Sequence, residues 1–119
     1  MASLVVIEND DAFLAVVLRE LKAAGHQVVG FADWVGVLEL LDTGYRVEAF
    51  VVDLRLTPGT PNGHSLGQMA GVKRPGLKVL YMTADAVLAH TMRRTLRNVL
   101  VKSGDPGAVA AAIEYLLAA

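Results

Sequence analysis

Five short runs of apolar, largely β-branched residues recur along the chain. Each is followed by a stretch in which apolar positions return every three or four residues. Leu4-Val5-Val6-Ile7, Gln27 to Phe31, Glu48 to Asp53, Leu77 to Met82 and Val99-Leu100-Val101 read as strands β1 to β5. β1 and β3 lack polar alternation, the mark of strands covered on both faces in a parallel sheet. Helix α1 is expected from Asp11 to about Ala24, with Phe13, Val17, Leu21 and Ala24 at helical spacing and Gly25 as its stop. Asp33 can cap α2, Trp34 to about Leu41, whose apolar face is Val37, Leu38 and Leu41. A short α3 from His64 to about Val72 is interrupted by Gly67 and Gly71. Asp85 to about Leu96 suits α4, with Leu88, Met92 and Leu96 on one side. Ala108 to Leu117 suits α5, entered by Asp105-Pro106, a cap followed by proline. Thr57 to Gly63 is a loop by its turn residues. Five β-α units in strict alternation predict a parallel sheet with helices on both faces and right-handed crossovers.

The composition narrows the setting. A chain of 119 residues makes one domain, 1–119, and 54% hydrophobic residues supply its core. A net charge of −1 with no basic stripe argues against nucleic acid. The absence of cysteine removes disulfides and thiolate chemistry. No apolar run approaches the roughly 20 residues that span a bilayer, and no basic leader precedes β1, so a soluble cytoplasmic protein is the expectation.

The chemistry gathers at the strand ends. β1 runs into Glu8-Asn9-Asp10-Asp11, β3 ends at Asp53, β4 at Thr83 and β5 at Lys102. Helix capping accounts for one or two of the first four, through Asn9 or Asp10. It does not account for Glu8, which precedes the helix. Parallel strands present their carboxyl ends on one edge of the sheet, where ligands bind. If β1 and β3 are neighbours, Glu8 or Asp10 lies close to Asp53. Like charges there repel unless a cation intervenes, and an all-oxygen site suits Mg²⁺. Carboxylate nucleophile, Mg²⁺, the ammonium of Lys102 and the hydroxyl of Thr83 are what phosphoryl transfer to an aspartate requires.

On these residues the chain resembles the receiver domain of two-component response regulators over essentially its whole length. The likeness is carried by the acidic cluster after β1, by Val52-Asp53-Leu54-Arg55-Leu56 followed by Pro58 and Gly63, by Met82-Thr83-Ala84 and by Val101-Lys102. It implies a flavodoxin-like three-layer α/β/α sandwich with strand order 2-1-3-4-5. It implies phosphorylation of Asp53 by a histidine kinase or phosphotransfer protein, with Thr83, Ala84 and Lys102 around the phosphoryl group. Mg²⁺ would be held by Glu8, Asn9, Asp53 and the backbone carbonyl of Arg55, with Asp10 as a further candidate. Activity would be limited to self-phosphorylation and self-dephosphorylation, and output would pass to a downstream protein partner. A homodimer through α4, β5 and α5 is also compatible, given the apolar α5.

Five features depart from the family pattern. Asn9 stands where a metal-binding acid is usual, so weaker metal binding is expected. The loop after Asp53 is longer. Ser103 replaces the proline after Lys102. Val99 replaces the aromatic switch residue of β5. The segment from Thr83 to Lys102 is a few residues short. Asn9, Val99 and Ser103 support a second reading, a receiver-like interaction module that no longer uses phosphate. A flavin or nucleotide carrier is disfavoured, because the acidic cluster after β1 would repel phosphate where a glycine-rich cradle is needed. The chain ends just after α5, so a receiver without its own output domain is the expectation. His26, His64 and His90 are expected at the surface, Trp34 in packing, and Arg93, Arg94 and Arg97 as one small basic patch.

Overall fold

The strands are β1 (Ser3–Ile7), β2 (Gln27–Phe31), β3 (Ala49–Asp53), β4 (Lys78–Thr83) and β5 (Val99–Val101), all parallel and ordered β2-β1-β3-β4-β5. The computed structural model describes residues 1–56, 59, 62–105 and 107–119. Thr57, Pro58, Thr60, Pro61 and Pro106, with most of the expected loop after Asp53 and the proline start of α5, lie outside them.

Every residue of β1 and β3 is buried, as their unbroken apolar runs require. Side chains alternate between the faces. Leu4, Val6, Val51 and Met82 point to one side, where Val17 and Leu21 of α1 (Asp11–Ala23) and Val109 and Ile113 of α5 (Ala108–Ala118) cover them. Val5, Ile7, Phe50, Val52 and Tyr81 point to the other. They meet α2 (Trp34–Leu41), α3 (Gly63–Lys73) and partly buried Leu88 and Met92 of α4 (Ala86–Met92). The three layers and the strand order are those expected.

Three local expectations need correcting. α4 stops at Met92, not near Leu96. Arg93 and Arg97 would be a like-charge pair one helical turn apart, and the turn at Arg93–Leu96 instead carries Leu96 into the core. α3 is not interrupted by its glycines. A Cβ on Gly67 would lie 2.2 Å from the Tyr81 hydroxyl, and one on Gly63 would lie 1.9 Å from the Asp53 carbonyl oxygen, so both allow close approach to the sheet. His26 is not a surface residue: it is 8% exposed. Its Nδ1 accepts from the Ala2 N–H (3.1 Å) and its Nε2 pairs with Glu114 Oε1 of α5 (2.8 Å). With Nδ1 an acceptor, Nε2 carries the proton of the neutral ring. His64 is half-buried, edge-on to the Tyr81 ring at 6.4 Å, and His90 is exposed as expected.

Candidate functional site

The carboxyl ends of β1, β3 and β5 bring Glu8, Asp53 and Lys102 together. Pairing of Ile7 with Val52 sets Glu8 beside Asp53, and β5 enters next to β4 through Thr83 and Val101. Lys102 Nζ lies 2.7 Å from Glu8 Oε2 and 2.7 Å from Asp53 Oδ2. The remaining carboxylate oxygens are held by backbone. Asp53 Oδ1 accepts from the Arg55 N–H at 2.9 Å, and Glu8 Oε1 from the Asp10 N–H at 3.1 Å. Two acids and one base in a nearly closed space leave a net negative charge.

Burial decides how that charge is carried. Glu8 is wholly buried. Loss of water, then its hydrogen-bonding contact with Asp53, push its carboxyl up to about 7, against the opposing pull of Lys102. Burial alone would lower the Lys102 ammonium, but its bonds to Asp53 and Glu8 outweigh that and raise it. Lys102 therefore stays charged, and Glu8 is the member of the trio that gains a proton near neutrality.

Thr83 is buried on the next strand, its Oγ1 accepting from the Asp85 N–H at 3.1 Å, which leaves its hydroxyl proton free to donate. Ala84 follows it, exposed. Asp85 caps α4 through the N–H groups of Val87 and Leu88. It also meets Arg55 at 2.8 Å, so the residue two beyond Asp53 is tied to the residue two beyond Thr83. The Leu88 N–H, then Arg55, hold the Asp85 carboxyl below its usual range.

The structure does not bring every candidate into this cluster. Asp10 Oδ1 takes the N–H groups of Ala12 and Phe13, so this acid is committed to the first turn of α1. Asn9 is exposed and its side chain makes no hydrogen bond among the described residues. No three carboxylate or imidazole groups converge among the described residues. The acidic donors are Glu8 and Asp53, with the Asn9 amide and the Arg55 carbonyl as neutral oxygens nearby in sequence. Glu8 Oε2 is buried with charge contact to Lys102 but no hydrogen bond of good geometry. Such an oxygen has capacity to spare, and the set fits a hard cation in type while offering it one formal charge fewer than three acids would.

Two features went unread in the sequence. The Phe13 ring lies under Lys102, its centroid 4.6 Å from Nζ. Tyr81 stands in register with Val99, so the aromatic residue missing from β5 has a counterpart on β4. Phe13 could have been found from its place three residues after Asp10. Tyr81 could not, because the β4–β5 register is long-range. Beside Lys102, Phe13 also lines a cavity of about 120 Å³ with Val16, Val17, Leu100 and Val109.

No protein-family model matches the sequence. Solved structures do. A response regulator receiver protein from Sinorhizobium medicae superposes with a TM-score of 0.84 at 19% identity, covering 99% of this chain and 95% of that one. A receiver domain protein from Methanospirillum hungatei gives 0.83 at 21%, covering 99% and 94%. The response regulator TrrA from Thermotoga maritima, in complex with Mg²⁺ and BeF, gives 0.82 at 18%, covering 98% and 100%. The fold is that of response regulator receiver domains, matched from end to end. Among the described residues, no helix is long and apolar enough to cross a membrane.

Proposed function

We propose that this chain is a phosphorylation-dependent signalling switch with Asp53 as its phosphoacceptor. The observation that carries the reading is the position of Lys102 Nζ, 2.7 Å from both Glu8 and Asp53 at the carboxyl edge of the sheet. A carboxylate with a fixed ammonium beside it and the Thr83 hydroxyl on the neighbouring strand is suited to receive a phosphoryl group. An Asp53 carboxylate oxygen forms the new bond to phosphorus as the bond to a phosphohistidine nitrogen of a histidine kinase or phosphotransfer protein breaks. The imidazole leaves with its electron pair and takes a proton. Water later cleaves the acyl phosphate, returning Asp53 and inorganic phosphate. Lys102 shifts its contact from the carboxylate to a phosphoryl oxygen, and Thr83 donates to another.

Glu8, Asn9, Asp53 and the Arg55 carbonyl would hold Mg²⁺, which would supply charge neutralisation on the transferring oxygens. TrrA, with the same fold, was crystallised with Mg²⁺ and BeF, which supports this choice. Cytoplasmic location and output through a downstream protein belong to the same proposal. So does a homodimer through α4, β5 and α5, where Val87 and Tyr115 are exposed. A second reading, a module that works without phosphate, is favoured by one observation. Lys102 is committed to charge contacts with both acids, which a phosphoryl group would have to break.

Intact mass after incubation with acetyl phosphate and Mg²⁺ separates the two. A phosphoryl adduct on wild type and none on Asp53→Asn is the expected result. No adduct on a folded wild type, with acetyl phosphate and then with a phosphorylated histidine phosphotransfer protein, would favour the second reading.

A further inference from the structure

An ammonium has three donors. Among the described residues Lys102 donates one of them to Asp53 Oδ2 and makes a charge contact with Glu8 Oε2, both at 2.7 Å. An aromatic ring also closes on this ammonium. Nζ lies 4.6 Å from the Phe13 centroid, inside the ~6 Å over which the negative face of an aromatic ring attracts a cation. The contact is sheltered, with 15% of the Lys102 side chain exposed, and such contacts strengthen when water is excluded. Phe13 is itself held in place, because Asp10 accepts its N–H at 3.2 Å in capping α1.

We propose that Phe13 is a positioning residue for Lys102, fixing the ammonium between Glu8 and Asp53 without neutralising it. The proposal rests on the reading of Asp53 as phosphoacceptor. A carbonyl or a third carboxylate in the place of the ring would compete with incoming phosphoryl oxygens for the ammonium protons. A ring restrains the cation by its quadrupole and its bulk, and leaves its charge free to act on the phosphoryl group. Without the ring, the ammonium opens to water through the cavity that Phe13 lines, and the long stem gains rotamers.

The test compares wild type with Phe13→Leu, which keeps an apolar side chain, and Phe13→Tyr, which keeps the ring. Phe13→Met replaces the leucine variant should that fail to fold. Two readouts are taken: the ¹⁵N signal of the Lys102 ammonium, visible only when shielded from exchange with water, and the rate of adduct formation with acetyl phosphate and Mg²⁺. The expected result is an ammonium signal in wild type and Phe13→Tyr that broadens away in Phe13→Leu. Adduct formation falls about threefold to tenfold in the leucine variant and returns with tyrosine. A leucine variant that keeps both signal and rate overturns the proposal. Absence of adduct on wild type, with acetyl phosphate and then with a phosphorylated histidine phosphotransfer protein, sinks the phosphoacceptor reading alone, and the ammonium signal then decides: its loss in Phe13→Leu upholds the positioning role, its retention overturns it.

Discussion

Replacing Glu8 with glutamine should make the protein more stable at alkaline pH and no more stable at acid pH. Glu8 has no exposed surface, and its carboxyl is raised from 4.5 to about 7, first by burial and then by its contact with Asp53. The folded state thus holds a proton that the unfolded chain has already released. A raised value means that the stability is fully present below pH 4.5. It is lost as pH rises toward 7, because folding then requires either proton uptake or a buried charge. At 1.36 kcal/mol per unit, the shift amounts to about 3 kcal/mol, and the attraction of Lys102 is already contained in it. Glutamine keeps the shape and carries no charge at any pH. For a domain of this size, about 3 kcal/mol corresponds to roughly 10 °C in melting temperature. Urea unfolding of both proteins at pH 4.5, 6, 7 and 8.5, in chelator, measures it. The wild type should weaken across the series while Glu8→Gln stays nearly flat, and the curves should meet at the acid end. A difference between the two proteins that does not change from pH 4.5 to 8.5 would refute the reasoning. Millimolar Mg²⁺ should shrink the wild-type slope, since a bound cation favours the ionised carboxylate.

Lys102→Met should leave Glu8 and Asp53 facing each other with no cation between them. The expected loss is ~3 kcal/mol or more at pH 8 and smaller near pH 4.5, where Glu8 holds its proton, as read by the same urea series. Asn9→Asp should restore a third formal charge beside Glu8 and Asp53. Calorimetric titration should show Mg²⁺ binding tightened about tenfold, and an unchanged affinity would mean that Asn9 is not a ligand.

The elements that could be read from the sequence are those set by local pattern. Leu4 to Ile7 and Phe50 to Val52 have no polar position to expose, so they could only be central strands, and Glu8 and Asp53 stand where those runs break. Alternation of strands and helices then put the breaks on one edge. What escaped was decided by distant partners. His26 follows a glycine turn and looks exposed, yet Glu114, 88 residues later, and the Ala2 N–H close over it. Leu96 shows helical spacing with Leu88 and Met92, but reaches the core through a turn. The cation–ring contact of Lys102 with Phe13 depends on how the cap of α1 orients its first turn, which periodicity does not report. Asp10 was a metal candidate by proximity in sequence alone; the structure commits it to that cap.

The close seat of Gly63 against Asp53 has a consequence for how this region can change over time. The Leu54 N–H is bonded to Met82 of β4, and the Gly63 N–H to the Leu54 carbonyl. The two ends of the segment that follows β3 are thus moored to the same point of the sheet. Whatever chain is paid out between the moorings, Asp53 keeps its place. The entropic cost of extra length grows only as its logarithm. Arg55, which holds Asp53, and Asn62, which caps α3, are fixed by these contacts, whereas changes of length between them would leave the Asp53 carboxylate where the sheet holds it.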